Sequence, residues 1–265
     1  GMKVVLFCGG LGLRLREHSE RIPKPMVPIG YRPILWHVMK YYAHFGHREF
    51  VLCLGYKADV VKQYFLDYNE ALSNDFVLSG NGHGGGDRSH IELLGSDIHD
   101  WRITFADTGL QANIGQRLRA VRRHVEGEDV FLANYGDVLT DAPLPEMVDD
   151  FLRRDAVAAF ISVKPTYTFH VVRARDDGTV ERIDDVNAAD IWINGGYMML
   201  RKEIFDYLDE GDELVEEPFQ RLVKQNLLLT YRYEGFWAPM DTLKDQQQLE
   251  SMYETGRPAW AIWQR

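Results

Sequence analysis

Short apolar runs alternate with amphipathic stretches through the first 160 residues of the chain. The predicted strands lie at 3–8, 50–54, 103–105 and 130–133, and the predicted helices lie at 60–68 and 118–125. A further helix is predicted to begin near Pro33, where apolar residues recur at helical spacing. Strands and helices in alternation are typical of βαβ units, so the sequence predicts an α/β fold with a mainly parallel sheet flanked by helices.

The alternation weakens beyond residue 156. Apolar runs become short and closely spaced there, at 158–163, 169–173, 180–183 and 192–200. With Asp176, Asp177 and Gly178 as a turn, these runs predict antiparallel strands that form a wall or lid over the sheet. No Pro- or Ser-rich linker interrupts the 265 residues, so we expect a single domain with a core in 1–160 and an elaboration in 161–265.

The charge and cysteine content limit the possible partners and setting. Lys and Arg total 30 against 40 Asp and Glu, and a formal charge of −10 argues against a protein that binds nucleic acid. Cys8 and Cys53 lie inside apolar runs, which favours free thiols in a reducing cytoplasm. No run approaches the roughly 20 apolar residues of a membrane-spanning helix, so we expect small charged partners and no membrane.

A glycine-rich segment, GGLGLR at 9–14, follows the first predicted strand. Glycines at such a turn let backbone N–H groups approach a polyphosphate, which a Cβ would obstruct. A P-loop would need Gly-Lys followed by Ser or Thr, and a dinucleotide fingerprint would need glycine where Leu15 stands. Taken alone, the segment fits a phosphate cradle and a purely structural tight turn equally well.

The next residues favour the cradle. From 14 to 32 the chain carries five basic residues against two acidic ones, a surplus of three positive charges. Lys24 lies between Pro23 and Pro25, which stiffen the backbone around its ammonium group. A fixed cation of this kind can hold phosphate oxygens and stabilise a departing pyrophosphate, whereas the alternative is a solvated charged loop.

GGLGLR followed by PKPM at 23–26 resembles the signature of the sugar-phosphate nucleotidyltransferases. Within that superfamily the chain is most similar to the glucose-1-phosphate cytidylyltransferases. The likeness recurs along nearly the whole chain, at 33–37, 53–57, 107–109, 135–137, 193–196, 217–218, 235–237 and 239–243.

The resemblance implies a Rossmann-like mixed sheet with the nucleotide over the carboxyl ends of the strands. It also implies that Asp137 and Asp241 bind Mg²⁺, a hard cation that takes one or two protein carboxylates. Taken singly, each aspartate would more often be a turn or capping residue. The implied reaction joins a nucleotide, from CTP in the cytidylyltransferases, to a sugar 1-phosphate and releases pyrophosphate. Arg14 and Lys24 would be the catalytic cations that hold the triphosphate.

The resemblance divides the other site residues between two sides. The nucleotide side would comprise Leu6, Gly9, Gly10, Gly12, Arg14, Lys24 and Arg117, within a nucleotide-binding core at 1–160. The acceptor side would comprise Thr108, His170, Asn194 and Glu217, mostly within an acceptor-binding and metal-completing part at 161–265. Arg117 is alternatively a solvated helix residue, and Asn194 a turn residue before Gly195.

The chain departs from the family pattern on the acceptor side. A family Phe-Gly segment is replaced by Phe169-His170, and a Glu-Lys-Pro motif is replaced by the residues at 184–186, Asp-Asp-Val. The lysine of that motif contacts the sugar phosphate in relatives, so His170, Arg173 or Arg182 would have to substitute. A non-sugar phosphate acceptor and a catalytically silent regulatory protein are the alternatives.

Two expectations concern aromatic residues and assembly. Trp36, Phe236 and Trp237 are expected to pack the core rather than to contact a ligand. Relatives form homo-oligomers, so we expect the same here. The tail at 260–263, Trp-Ala-Ile-Trp, looks exposed enough to serve such a contact, although it would equally well fold back on its own domain.

Overall fold

The structure is a computed structural model and describes residues 1–10, 21–80, 90–166 and 168–265. Within these ranges the strands are β1 (Lys3–Cys8), β2 (Pro28–Ile29), β3 (Arg32–Pro33), β4 (Glu49–Leu54), β5 (Phe76–Ser79), β6 (His90–Leu93), β7 (Arg102–Asp107), β8 (Val130–Asn134), β9 (Val138–Thr140), β10 (Ala158–Val163), β11 (His170–Ala174), β12 (Val180–Asp185), β13 (Ile193–Arg201), β14 (Leu228–Tyr233) and β15 (Trp237–Pro239).

The α-helices of the described ranges are α1 (Ile34–His44), α2 (Ala58–Leu66), α3 (Ile114–Ala120), α4 (Arg122–Val125), α5 (Leu144–Arg153), α6 (Glu217–Lys224) and α7 (Leu243–Glu254). Short 3₁₀ turns lie at Lys24–Met26, Glu70–Leu72, Lys202–Asp206 and Ile262–Gln264. None of the helices in the described ranges is both long enough and apolar enough to cross a bilayer.

The central sheet has seven strands in the order β14-β10-β13-β8-β1-β4-β7. All neighbouring strands are parallel except β13, which runs antiparallel to both β8 and β10. The carboxyl ends of six strands therefore meet the amino end of β13 at one edge of the sheet. In open α/β sheets, ligands bind at this edge.

The sheet is buried on both faces, which explains why its central strands are continuous apolar runs. In β1, Val4 and Leu6 pack on one side with α1, while Val5 and Phe7 pack on the other side with Leu118 of α3. Two hydrophobic clusters thus sandwich the sheet. The strands predicted at 3–8, 50–54, 103–105 and 130–133 and the helices predicted after Pro33 and at 60–68 are confirmed to within a few residues.

The single helix predicted at 118–125 is wrong in two respects, because the helical segment starts earlier and is divided into α3 and α4. The helical segment begins at Ile114, because Asn113 and Gln116 form a reciprocal capping box. It is interrupted at Val121, whose φ of −103° and ψ of 8° separate α3 from α4.

The wall of four antiparallel strands predicted for 158–200 is also wrong in part. Strands β11 and β12 form a separate hairpin, but β10 and β13 are central strands of the main sheet. The difference follows from burial. Most of β10 and β13 is buried on both faces, whereas β11 and β12 are largely exposed.

The C-terminal tail folds back onto its own domain, as one of the two alternatives stated. Trp260 is 1% exposed, and its indole Nε1 donates a hydrogen bond to Nδ1 of His37 on α1 at 3.1 Å. The alternative of an exposed tail is therefore wrong for Trp260 and Ile262, which are buried. Trp36 is buried in the same region.

Candidate active site

A cleft of about 470 Å³ opens at the carboxyl edge of the sheet, above β1, β8 and the start of β13. It is lined by Gly9, Gly10, Lys24, Ile114, Tyr135, Asp137, Val138, Ile193, Asn194, Gly195, Trp237, Pro239 and Asp241. Among the described residues, the cleft thus combines a glycine turn, one cation, two carboxylates and aromatic walls.

The two carboxylates are brought together by a short antiparallel ladder. Asp137 immediately precedes β9, and Asp241 follows β15, whose Pro239 is paired with Val138. The N–H of Met240 donates to the Asp137 carbonyl at 2.9 Å and holds the backbone before Asp241 beside Asp137. Residues that flank the same end of an antiparallel pair lie side by side, which is how positions about 100 residues apart share one site.

The turn into Asp137 requires glycine. Gly136 has φ of 84°, a left-handed conformation, and a Cβ there would lie 3.2 Å from the Phe7 carbonyl of β1. Its N–H donates to Oδ1 of Asn134 at 2.7 Å. The turn therefore holds the Asp137 side chain at the edge of the sheet beside β1.

Lys24 supplies the positive charge of the cleft. It begins the 3₁₀ turn after Pro23, and its Nζ lies 3.1 Å from Oδ1 of Asp241 and 3.9 Å from Oδ2 of Asp137. Burial raises the pKa of Asp137 to about 7; Lys24 opposes this shift and Asp241 adds to it. One lysine thus only partly compensates two neighbouring carboxylates.

The donor set fits a hard divalent cation. Carboxylate oxygens are its preferred protein ligands, and the partly exposed Asp241 leaves room for water and phosphate oxygens beside Asp137. Among the described residues, no third acidic, histidine or cysteine side chain joins the two aspartates in a metal cluster. Two carboxylates with the remaining positions left to water and phosphate are the arrangement that Mg²⁺ takes in nucleotide sites.

Arg117 lies directly beneath the glycine turn instead of being solvated. Its guanidinium donates to the Leu54 carbonyl at 3.3 Å, to Oγ1 of Thr108 at 2.8 Å and to the Gly109 carbonyl at 2.9 Å. The side chain is 4% exposed, and a Cβ on Gly9 would lie 2.2 Å from its Cζ. Arg117 therefore ties β4 to the loop after β7 and occupies the space that only glycine at position 9 leaves free.

Asn194 lies in the cleft wall at the start of β13. Its Nδ2 donates to the Tyr135 hydroxyl at 3.0 Å, and its Oδ1 accepts from the N–H of Gly196 at 2.9 Å. Trp237 lines the cleft as well, and its indole Nε1 donates to the Gly195 carbonyl at 2.9 Å. Asn194 therefore combines the turn role and the site position that the sequence left as alternatives.

Other residues proposed from the sequence lie outside the cleft wall. Thr108 donates its hydroxyl to the Leu54 carbonyl, Glu217 is exposed at the start of α6, and His170 is exposed at the start of β11. Leu6 is buried within β1. Gly12 and Arg14 lie outside the described residues.

Some residues of the cleft wall were not proposed from the sequence as ligand contacts. Ile114 and Pro239 carried no chemical signal, and Trp237 was expected in the core. Tyr135 had a usable signal, because it immediately precedes Gly136 and Asp137 in the segment whose turn forms the site.

A glycine turn, a lysine and paired carboxylates over the carboxyl edge of an open α/β sheet define an enzyme that handles a phosphorylated nucleotide. Residues 3–245 match the family described as nucleotidyl transferase, and the chain belongs to that family. The chain is 34% identical over 266 residues to the glucose-1-phosphate cytidylyltransferase of Salmonella typhimurium, which covers 99% of this chain and 100% of that protein. The enzyme of the same name from Salmonella typhi matches at 34% identity with the same coverage.

The fold has relatives among solved structures. UDP-glucose pyrophosphorylase, solved in complex with UDP-glucose, superposes with a TM-score of 0.67 over 97% of this chain and 99% of that one, at 14% sequence identity. This likeness confirms the fold class predicted from the sequence.

Proposed function

We propose that this nucleotidyl transferase joins the cytidylyl group of CTP to glucose 1-phosphate, forming CDP-glucose and releasing pyrophosphate. The observation that carries the proposal is the contact of Lys24 with both Asp137 and Asp241 in a cleft whose floor is a glycine turn. The choice of base and sugar rests on the names of the two Salmonella relatives.

The nucleotide lies on the side of the cleft formed by β1. Gly9 and Gly10 let the backbone approach the triphosphate closely, and Gly10 has a φ of 111° that favours glycine. Lys24 holds the phosphate oxygens, and Arg117 supports the turn from below. Gly12 and Arg14 extend this side by resemblance.

Asp137 and Asp241 would hold Mg²⁺, and the bound ion would neutralise phosphate oxygens and stabilise the charge of the departing pyrophosphate. The support is the donor set of the two carboxylates and the burial of Asp137, which raises the pKa of that carboxyl even with Lys24 nearby.

The chemical step is an in-line displacement. A phosphate oxygen of the sugar 1-phosphate forms a bond to the α-phosphorus, and the bond from the α-phosphorus to the bridging oxygen breaks, with its electron pair leaving on pyrophosphate. The nucleophile is already anionic near pH 7, so the step needs no general base. Lys24 stabilises the charge that develops on the leaving group, and Asn194 with Tyr135 orients the sugar.

The two halves of the single domain divide this work. Residues 1–160 supply the glycine turn, Lys24 and Asp137, while residues 161–265 supply Asn194 and Asp241. The reaction takes place in the cytoplasm, a setting supported by the two buried free thiols, Cys8 and Cys53.

The protein works as a homo-oligomer. An apolar face of the β5–β6 hairpin supports this: its cross-strand pairs put Phe76 beside Leu93 and Leu78 beside Ile91, and all four side chains are exposed. We call these four residues the hairpin face.

The test is pyrophosphate release with Mg²⁺, each of the five common nucleoside triphosphates and a panel of sugar 1-phosphates, with non-sugar phosphates included. We expect the highest kcat/KM with CTP and glucose 1-phosphate. Turnover only with a non-sugar phosphate would show that glucose 1-phosphate is not the acceptor. If no combination of nucleotide and phosphate released pyrophosphate, the proposal would be overturned.

A further inference from the structure

Two cations stack on one tryptophan beside the cleft. Nζ of Lys164 lies 5.4 Å from the centroid of the Trp192 ring, and Cζ of Arg232 lies 5.3 Å from the same centroid. Lys164 follows the last residue of β10, Trp192 precedes the first residue of β13, and Arg232 lies near the end of β14. The cluster therefore forms where three adjacent strands reach the ligand-binding edge of the sheet.

Strand register puts this cluster on the same face as a residue of the cleft wall. Ser162 is paired with Asn194 on one side and with Arg232 on the other. Residues paired in register share a face of a sheet, so Arg232, Ser162 and Asn194 lie on one face, and Lys164 joins Arg232 there through their shared contact with the Trp192 ring. Directly opposed side chains are about 5 Å apart, so the cations lie within about one or two side-chain rows of Asn194.

The charges of this cluster are available to a ligand. Lys164 has a distant carboxylate partner, Glu234 at 3.9 Å, whose side chain is 70% exposed. Arg232 has no ion pair with any carboxylate of the described residues, and its guanidinium stacks on the Trp192 ring. Two like charges held against one ring repel each other, and a dianion beside them would relieve that repulsion.

The cations expected from the sequence lie elsewhere. Asp185 stands in the segment that replaces the Glu-Lys-Pro motif, and it is paired in register with the exposed His170. Arg182 is already engaged with Asp184 at 2.5 Å, and Arg173 lies on the same exposed hairpin. His170, Arg173, Arg182 and Asp185 all belong to the separate β11–β12 hairpin, and none of them stands at the end of a central strand that reaches the cleft.

We propose that Lys164 and Arg232 bind the phosphate of the acceptor, with Trp192 holding both cations in position. This inference rests on the proposed function, because it assigns the acceptor side of the same reaction. The triphosphate occupies the side of Lys24 and the glycine turn, so the second phosphate enters from the side of β13 and β10. A cation pair at that position neutralises the acceptor phosphate without competing for the triphosphate.

The test compares Lys164→Met, Arg232→Met and the double variant with the wild-type enzyme in steady-state kinetics. We expect KM for the sugar 1-phosphate to rise about 10-fold in each single variant, since a hydrogen bond to a charged group is lost, and about 100-fold in the double variant. KM for the nucleotide should stay within about twofold of the wild-type value. Lys164→Arg should restore most of the acceptor affinity.

Lys202→Met is the matched control. Lys202 follows the far end of β13, at the opposite edge of the sheet, and pairs with Asp129 at 3.2 Å, so its loss should leave both KM values unchanged. Trp192→Leu tests the positioning role and should raise KM for the acceptor without affecting the nucleotide.

Binding measurements separate failure of this inference from failure of the proposed function. Glucose 1-phosphate and glucose are titrated calorimetrically into each protein with Mg²⁺ and a non-hydrolysable CTP analogue present. Weaker binding of the phosphorylated sugar by the double variant, with glucose binding unchanged, supports the inference even without turnover. Acceptor affinity equal to wild type in the double variant, or an equal loss for the nucleotide, overturns it.

Discussion

At the residue scale, Lys24 contacts two carboxylates that differ in their exposure to solvent, Asp137 and Asp241. The side chain of Asp137 is 19% exposed and that of Asp241 is 48% exposed, so the first carboxylate is largely desolvated while the second still contacts water. Among the described residues, Lys24 is the one cation that pairs with both carboxylates, and burial of the Asp137 charge disfavours the folded protein. Asp137 is therefore maintained for function at the expense of stability.

Asp137→Asn should separate the contribution of Asp137 to catalysis from its cost to stability. We expect kcat/KM to fall by at least about 100-fold, because an amide is a poor ligand for a hard cation. The midpoint of thermal unfolding without metal should stay equal or rise, since the neutral amide removes a buried charge. Asp129→Asn, at a side chain that is 89% exposed, should change neither quantity. Turnover within 10-fold of wild type would contradict the metal role of Asp137.

Gly9→Ala tests the packing of Arg117 beneath the glycine turn. A Cβ at position 9 would meet the guanidinium at 2.2 Å and force it away from at least one of its three acceptors. We expect the free energy of unfolding in urea to fall by about 2 kcal/mol, together with weaker nucleotide binding. Gly127→Ala is the control, because a Cβ there meets no atom within 4 Å. Equal stability of the two variants would refute this account of Gly9.

At the scale of elements, the C-terminal tail is tied to α1 through one imidazole. Nδ1 of His37 accepts from the Trp260 indole, so the proton of the neutral ring lies on Nε2 and is donated to the Ile29 carbonyl at 2.9 Å. Burial lowers the pKa of His37 to about 4, and hydrogen bonds to the backbone partly oppose this shift. Protonation would leave two donors facing each other at Nδ1 and the indole.

His37 should make stability depend on pH. Its pKa is lower in the folded state than the unfolded value of about 6.5, so between pH 4 and 6.5 the unfolded chain binds more protons and stability falls as the pH falls. The loss from pH 7 to pH 4 is on the order of 3 kcal/mol from this group. His37→Gln keeps a donor toward Ile29 and should show a correspondingly smaller loss in urea unfolding over this range. Identical pH profiles for the two proteins would contradict the buried neutral ring.

The elements that could be predicted from the sequence are those whose pattern is local. The strand at 3–8 and the helix after Pro33 follow from apolar runs and helical spacing, and both are confirmed. The positions of β10 and β13 within the central sheet could not be predicted from local apolar patterns, because their neighbouring strands come from distant segments of the chain. The unbroken apolar run at 197–200, Tyr-Met-Met-Leu, is the sequence sign of a central strand, and the structure buries all four residues.

In the candidate site, too, the features that could be predicted are those set by local sequence, and the others depend on tertiary contacts. The glycine turn and Lys24 are close in sequence, so composition alone indicated an anion there. Asp137 and Asp241 were paired only through family resemblance, because the β9–β15 ladder that joins them is a tertiary contact. Lys164, Arg232 and Trp192 come from three different strand ends, and no local pattern could indicate that they meet.

At the scale of the whole molecule, a formal charge of −10 opposes self-association, while the hairpin face favours it. Copies of the chain repel one another at long range, but this repulsion is screened within about 10 Å at 0.1 M salt. Burial of exposed apolar side chains is not weakened by such screening. Association through the hairpin face should therefore strengthen as moderate salt is added, the opposite of an association held by ion pairs.

Sedimentation of Leu78→Lys/Ile91→Lys tests that face. Lysines at these positions, 60% and 48% exposed, put charge into an interface that is apolar in both copies, so the dissociation constant should rise at least about 100-fold. Val180→Lys/Ile183→Lys is the control, because these side chains are 56% and 61% exposed on the other hairpin, β11–β12. The control should sediment like the wild type and show the same salt response. A wild-type protein that stays monomeric at about 100 μM, or equal sedimentation of the two double variants, would show that the hairpin face does not hold copies of the chain together.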